Sequence, residues 1–419
     1  MNRKEFIRLK AGLLSHGVKI TPEAKEQLLN EYPHFFVKGF VHATNMSIYG
    51  SNLCVSVADG YSADSEYILC KSGSGHRSDN ECNPDSRRVS NSGYNSDIGH
   101  KSDNECNTDS RCVSNSGYNS DIGHKSDNEY NSDSGYEIRY GEKSVPVKFF
   151  GALPKTGTVI DGMAQLHAPG CINIWPSSAC CYDADELKCK FCSLEKERSR
   201  PLPIEELAEG IKKLLTLLGD GRYVLNMSGG TYVSPDYMAD YYISLVKKIR
   251  EFTSCPITIE LAPPSDTGKL KELKDAGCTA VIMNIEIASK SLREKICPGK
   301  SRISYEHYHA SMRYAVELFG HGMVSSVLIG GIQPKADILR ECEILASEGV
   351  FPTIMPFRPF DNCELHGFKA CSPDELVEMS EVLGGLLRKY KLAPEKQPGC
   401  TECGGCSIEN DCYSLDGVF

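Results

Sequence analysis

The sequence predicts an α/β protein built on a partial (β/α)6 barrel. Three observations predict it. From Ile172 onward, short apolar runs alternate with amphipathic helical patterns to make six strand–helix units, and regular alternation with short turns means parallel strands with helices outside. A cysteine-rich loop, Cys181 to Cys192, follows the first apolar run, at the strand end where barrel enzymes keep their chemistry. Residues 71–135 break from the rest in composition. They divide a small α+β N-terminal region (1–70) from a lead-in (136–164), the barrel (165–360) and a C-terminal helix with a Cys-rich segment (361–419).

In chain order, Phe6, Ile7, Leu9, Leu13 and Leu14 mark an amphipathic first helix. Thr21-Pro22-Glu23 opens a second, with Pro at the first helical position. Alternating residues predict strands over 35–41, 53–57 and 67–69. A 24-residue unit then begins at Gly75 and again at Gly99, breaking off after Gly123. Its first copy offers only Val89 and Ile98 as branched apolar residues, too little burial to offset chain entropy. The expectation is a disordered repeat insertion, in which Cys82, Cys106, Cys112, His76, His100 and His124 are passengers of the duplication. Order returns at Tyr136, with a strand over 145–150.

The barrel strands are expected at Ile172–Trp175, Tyr223–Met227, Ile257–Leu261, Ala280–Ile285, Val324–Ile329 and Pro352–Pro356. Helices are expected from Leu207 to Leu218, from Ser234-Pro235 to about Phe252, and over 267–276, 304–319 and 335–347. Ser372-Pro373-Asp374-Glu375 reads as a capping box opening a last helix to about Tyr390.

Composition excludes several classes of function. A net charge of −10 and a pI near 5.6 argue against nucleic-acid binding, which needs a basic face. No apolar run reaches the length of a membrane span, and residues 1–15 lack a signal-peptide core, so a cytoplasmic protein is expected. Twenty cysteines, without an export signal and clustered at C-x2-C spacing, read as metal or cluster ligands in a reducing interior rather than as disulfides.

The loop Cys181, Cys189, Cys192 reads C-x7-C-x2-C. Three thiolates on a four-iron cube leave one iron without a protein ligand, open to a substrate or cofactor as in a catalytic zinc site. Cys180 competes with Cys181 as the first ligand; Cys181 is preferred. The alternative is structural zinc, with Cys180 or Cys171 as fourth ligand. A second group, Cys400, Cys403 and Cys406 with Cys412 beyond, has the spacing of an iron–sulfur or zinc site, or of free thiols. The scattered Cys255, Cys278, Cys297 and Cys342 read mostly as small core residues.

A three-cysteine loop after the first strand of a six-unit barrel resembles the radical S-adenosylmethionine (SAM) superfamily over about residues 165–360, although the commonest family spacing is C-x3-C-x2-C. The resemblance extends to other strand ends. Ser228-Gly229-Gly230-Thr231 is similar to the family's Gly-Gly-Glu-type motif, which meets the amino group of SAM; Thr231 stands where an acid is often found. Glu286 stands where a ribose or methionyl contact is expected, Gly330 on the adenine-contacting strand, and Arg358 where it would hold the adenine edge or substrate. Bland readings stand beside these: a turn at 228–231, a solvated carboxylate at Glu286, and an ordinary ion pair at Arg358.

The resemblance implies a [4Fe-4S] cluster that reductively cleaves SAM to an adenosyl radical, which takes hydrogen from an unactivated carbon. Within the superfamily, the C-x7-C-x2-C loop, the C-terminal cysteines and the lack of a cobalamin-binding domain upstream resemble the glutamine C-methyltransferases of methanogenic archaea. That resemblance implies methylation of a glutamine α-carbon in the α subunit of methyl-coenzyme M reductase, with methylcobalamin as methyl donor and an electron-donor protein as partner. Neither nucleic acid nor a membrane is expected as a partner. The repeat insertion departs from that family. The rival expectations are a sulfur-insertion enzyme of the biotin-synthase-like type and a non-catalytic zinc scaffold.

Overall fold

A computed structural model of the chain describes residues 1–31, 43–56, 65–72, 135–150, 152–177, 180–182, 186–193, 201–231 and 236–414. Six parallel strands, Cys171–Ile174, Val224–Met227, Ile257–Glu260, Ala280–Ile282, Val324–Gly330 and Val350–Pro356, pair in chain order. They curl as the expected half-barrel. The first four are buried along nearly their whole length, which is why they read as unbroken apolar runs rather than as alternation. The expectation for the strands of the (β/α)6 barrel holds. The sequence reading missed a seventh strand, Ala164–Ala168, antiparallel beside the first. Four of its five residues are only half-buried, and as an edge strand it shows no apolar periodicity.

The helices follow the apolar faces read from sequence. Ile204–Leu218 buries Leu207, Ile211 and Leu214. Lys335–Ser347 has the expected bounds. Tyr305–Phe319 is capped by Ser304, whose Oγ accepts from the N–H of His307 at 3.0 Å. The helix expected from Ser234 begins at Ala239, and residues 232–235 lie outside the described ones. Pro373–Lys389 forms where expected, but the capping box does not: Ser372 makes no side-chain bond to the helix. Its start rests on Pro373 and on the buried stripe Leu376, Met379, Leu383 and Leu387. A capping box does form at Asn2, whose side chain accepts from the N–H of Glu5 at 3.1 Å while its own N–H donates to Glu5 at 3.0 Å.

One helix escaped the sequence reading altogether. Lys290–Ile296 and the single turn Lys300–Arg302 carry charge where a helix needs a longer apolar stripe. Buried Arg293 organises this stretch. Its guanidinium donates to the carbonyls of Ile303 and Lys300, each at 3.0 Å, and stacks on Tyr308.

The N-terminal region contributes helices Arg3–His16 and Pro22–Glu31 and two small sheets. The strand expected over 35–41 lies outside the described residues. That over 145–150 divides at Val147 into Lys143–Pro146 and Lys148–Phe149, which join different sheets. Ile68–Lys71 pairs antiparallel with Tyr136–Tyr140, Lys71 opposite Tyr136, and the N–H of Ser72 donates to Gly135 O at 2.8 Å. The insertion expected over 71–135 is narrower at its ends, because Lys71 belongs to a strand and Ser72 bonds to Gly135; residues 73–134 lie outside the described residues, and the two ends leave from adjacent positions of one hairpin. Replacing 73–134 with a short Gly-containing turn is therefore expected to leave the thermal midpoint unchanged or slightly raised, because closing a shorter loop costs less entropy. Loss of soluble, cooperatively unfolding protein would contradict this.

Among the described residues, the N-terminal region, barrel and C-terminal segment share one apolar core and belong to one compact unit. Lys10 ties them together from inside. Its ammonium meets Asp411 at 2.6 Å, Ser51 at 2.9 Å and the carbonyl of Gly404 at 3.1 Å. Nearby, Glu409 is fully buried, with one oxygen accepting from Ser407 at 2.8 Å and the other without a partner. Burial pushes its carboxyl up from 4.5 to about 7. The folded chain thus keeps a proton that the unfolded chain has given up. Stability falls as pH rises from about 4.5 through 7, by on the order of 3 kcal/mol. Glu409→Gln should flatten that slope in denaturant unfolding; an identical slope in both proteins would contradict the assignment.

No helix among the described residues is long and apolar enough to cross a membrane.

Candidate functional site: the C-terminal mouth of the barrel

The first barrel strand ends at Ile174, and the cysteine loop folds back over the strand ends. Backbone bonds fix it. The N–H of Cys181 donates to Thr231 O at 2.5 Å, that of Lys190 to Ile296 O at 2.9 Å, and that of Gly299 to Leu187 O at 3.0 Å. The helix that sequence missed therefore holds one side of the loop. Gly299 is required there, because a Cβ would lie 2.4 Å from the ring of Tyr182 and 2.6 Å from Leu187 O.

Beneath the loop lies a cavity of about 300 Å³, lined by Cys180, Cys189, Cys192, Ser228, Gly229, Gly230, Thr231, Glu260, Glu286 and Lys300. The structure thus brings the loop thiols together with the second-strand motif and with Glu286. It places Cys180, rather than the preferred Cys181, on the wall. Burial holds both thiols above the usual range, Cys181 at about 11.

Ser228, Gly229, Gly230 and Thr231 all face this cavity. Ser228 is fixed from behind by the Asn173 amide at 3.0 Å. Gly229 cannot carry a side chain, since its Cβ would sit 2.7 Å from the carbonyl of Ser177. The second-strand turn and the start of the cysteine loop therefore touch backbone to backbone.

Glu286 is the least ordinary residue at the mouth. It is not glycine, yet its φ is +64°, a conformation that costs about 1 kcal/mol or more and persists where the surroundings over-determine it. Those surroundings are hydrogen bonds at its backbone: its N–H donates to Val327 O at 2.8 Å, and its carbonyl accepts from Ile329 at 3.0 Å and from the Gln333 amide at 2.8 Å. One carboxylate oxygen meets Lys300 at 2.8 Å, and the other is buried without a partner. Burial opposes the charge on Lys300, but Glu286 holds that ammonium well above its ordinary range. Burial also pushes the half-buried Glu260 up to about 7, against the pull of Lys300; its Oε1 accepts from Asn284 at 2.6 Å. Lys300 and Glu260 were missed from sequence, where nothing distinguishes them from surface charges.

Cys297 was expected among the core cysteines and is fully buried, but its thiol lies within 4.8 Å of both Cys189 and Glu286. Hydrogen bonding to Cys297 is the largest cause of the raised Cys189 thiol.

Two expected contacts point elsewhere. Gly330 ends the fifth strand, but the position of its absent Cβ lies 3.0 Å from Met379, on the side of the helix Pro373–Lys389. Arg358 does not line this cavity and donates to the carbonyl of Cys54 at 3.2 Å. The C-terminal cysteines divide as well. Cys406 converges with Cys54 and His167, and Cys403 lies 4.0 Å from His167. Cys400 is exposed. Cys412 packs in the main core beside Gly384 rather than joining the others.

The model of the radical SAM superfamily matches residues 186–343, from within the cysteine loop to the last barrel helix. The chain carries a radical SAM domain. The bacteriochlorophyllide c C-7(1)-hydroxylase of Chlorobaculum limnaeum is 28% identical over 263 residues; the match takes in 56% of this chain and 65% of that protein, so this chain spans less than two thirds of its relative's length. The crystal structure of methylornithine synthase aligns over 56% of this chain and 69% of its own, at 18% identity and a TM-score of 0.44. That of a radical SAM methyltransferase from Sphaerobacter thermophilus aligns over 53% and 66%, at 14% identity and a TM-score of 0.41.

The mouth of the radical SAM domain fits its cofactors. Three thiols of one loop face the cavity, enough for a cube with one iron open. The partnerless oxygen of Glu286 is a ready acceptor for an amino group or a ribose hydroxyl. Lys300 is a ready counter-charge for a carboxylate. At Gly229 and Gly230 the backbone lies bare on the cavity wall.

Proposed function

We propose that this radical SAM enzyme acts on an unactivated carbon, and that its reaction is methylation of a glutamine α-carbon in the α subunit of methyl-coenzyme M reductase, with methylcobalamin as donor. The observation that carries the radical chemistry is the convergence of Cys180, Cys189 and Cys192 with Gly229, Gly230, Glu286 and Lys300 on one cavity. The methylation reading is supported by the resemblance of the loop read from Cys181, C-x7-C-x2-C, and by the cysteines beyond the barrel; with Cys180 as first ligand the spacing becomes C-x8-C-x2-C.

When bound, a reduced [4Fe-4S] cluster and SAM supply a 5′-deoxyadenosyl radical. The residues of this chain do the rest. Cys180, Cys189 and Cys192 hold the cluster at the end of the first strand. Gly229 and Gly230 present backbone at close range. Lys300 and the free oxygen of Glu286 orient the charged end of SAM. The loop, docked on Ile296 and Gly299, covers the site and excludes water. No general acid or base is required, which suits a mouth without a nucleophile–His–Asp arrangement among the described residues.

A second reading, oxygen insertion at carbon, is favoured by the sequence match to a hydroxylase. Incubating the reduced enzyme with SAM, methylcobalamin and a reductase peptide containing the glutamine separates the readings by mass spectrometry. The proposal expects a methyl group on glutamine and no product without the corrinoid. An oxygenated or sulfur-bearing product, or corrinoid-independent turnover, would reject methylation and leave the radical chemistry standing.

A further inference from the structure

The geometry points to a second, mononuclear metal site, whose ligands are Cys54, His167, Cys403 and Cys406. The donor atoms of Cys54, His167 and Cys406 lie within 4.8 Å of one another, and Cys403 Sγ, outside that tight group, lies 4.0 Å from His167 Nδ1. These residues come from three distant places: the N-terminal hairpin strand Ser51–Ser56, the edge strand Ala164–Ala168, and the end of the C-terminal helix Cys400–Cys403 with the turn that follows it.

The distances choose the kind of site. In an iron–sulfur cube each thiolate sits on its own iron, so thiolates are held apart by the width of the cluster. Around a single tetrahedral ion, with metal–sulfur bonds of about 2.3 Å, neighbouring donors lie about 3.8 Å apart. Three donors already mutually within 4.8 Å need only a small contraction to close on one ion. Three sulfurs and one imidazole nitrogen are a donor set for zinc or a similarly thiophilic divalent ion. Cys412 is not a ligand, because it is buried in the main core beside Gly384, and Cys400 lies outside the convergent group of donors.

The frame around the site is built without the ion. The N–H of Cys54 donates to Gly405 O at 2.7 Å. Asn52 donates to the carbonyl of Cys403 at 3.0 Å, and Arg358 to that of Cys54 at 3.2 Å. Gly404 turns the chain between the two C-terminal ligands at φ +58°, and a Cβ there would strike Asn410 at 2.5 Å. Such bonds orient ligands and hold them in place, as outer contacts do around structural zinc. The ion would pin the C-terminal turn to the N-terminal hairpin and to the strand bordering the first barrel strand.

The test is metal and sulfide analysis of the full chain, purified anaerobically, as wild type and as Cys54→Ser, Cys406→Ser and Cys412→Ser. Cobalt(II) added to metal-stripped protein serves as an optical probe of tetrahedral thiolate ligation. The proposal expects one sulfide-free metal ion per chain in the wild type and in Cys412→Ser. It expects loss of that ion and of the cobalt bands in the other two variants, with iron and sulfide at the barrel loop unchanged. Because the surrounding hydrogen bonds do not depend on the ion, the variants should stay folded by circular dichroism. Retention of the ion in Cys54→Ser, its loss in Cys412→Ser, or loss of several irons with sulfide in Cys406→Ser would overturn the assignment.

Discussion

Cys189→Ala abolishes reductive cleavage of SAM, bringing 5′-deoxyadenosine to the background of protein-free controls. The thiol lies on the cavity wall, and the described residues around it, Leu187, Lys190 and Cys192, are held by backbone bonds. With two thiolates the cube has too few protein ligands to be retained. Two companion variants sharpen this. Cys180→Ala should behave like Cys189→Ala, whereas Cys181→Ala should keep its iron, because Cys180 and not Cys181 faces the cavity. Cys297→Ala should also keep its iron: Cys297 packs against Cys189 within an apolar cluster with Ile287 and Ile296, too near that thiol to serve a different iron. Iron analysis and chromatography of the nucleoside products read all four. Normal 5′-deoxyadenosine formation by Cys189→Ala would show that the cluster is elsewhere.

Lys300→Met should destabilise the fold by about 3 kcal/mol, as expected when one member of a largely buried ion pair is removed, and should weaken SAM binding. Lys300 and Glu286 face each other at 2.8 Å with side chains only 16% and 12% exposed. The other oxygen of Glu286 already lacks a partner, so losing Lys300 leaves a carboxylate with almost nothing to offset its desolvation. Adding Glu286→Gln should recover much of the stability while leaving SAM binding impaired. The double-mutant cycle in denaturant unfolding measures the coupling. Additive effects of the two substitutions would show that the pair does not act as a unit.

What was legible in the sequence follows from what leaves a local trace. The barrel strands are buried on both faces, so each is a short apolar run. Helices such as Ile204–Leu218 and Lys335–Ser347 carry an apolar stripe that gives their bounds almost to the residue. The cysteine loop and the Ser228–Thr231 turn are contiguous motifs. The remainder depends on contacts across the chain. Lys290–Ile296 is organised by Arg293 reaching carbonyls up to ten residues away, which no periodicity reports. Lys300 matters only because it lands opposite Glu286. Cys180 and Cys181 are neighbours, and the backbone turn decides which of them faces the cavity. Gly330 and Arg358 lie at the ends of the right strands, but the direction of each is set by packing, towards Met379 and towards Cys54. At the C-terminus, spacing grouped Cys412 with Cys400, Cys403 and Cys406, whereas folding exchanges it for Cys54 and His167, more than a hundred residues apart from each other.

The central claim is that the barrel mouth holds a cluster with one open iron that binds and cleaves SAM. Iron, acid-labile sulfide and 5′-deoxyadenosine, measured together on wild-type protein purified without oxygen and then reduced in the presence of SAM, test it most directly. The account predicts about four irons with matching sulfide at this site and 5′-deoxyadenosine formed only on reduction. Zinc alone in the protein, or a full iron–sulfur complement that leaves SAM intact under reduction, would contradict it.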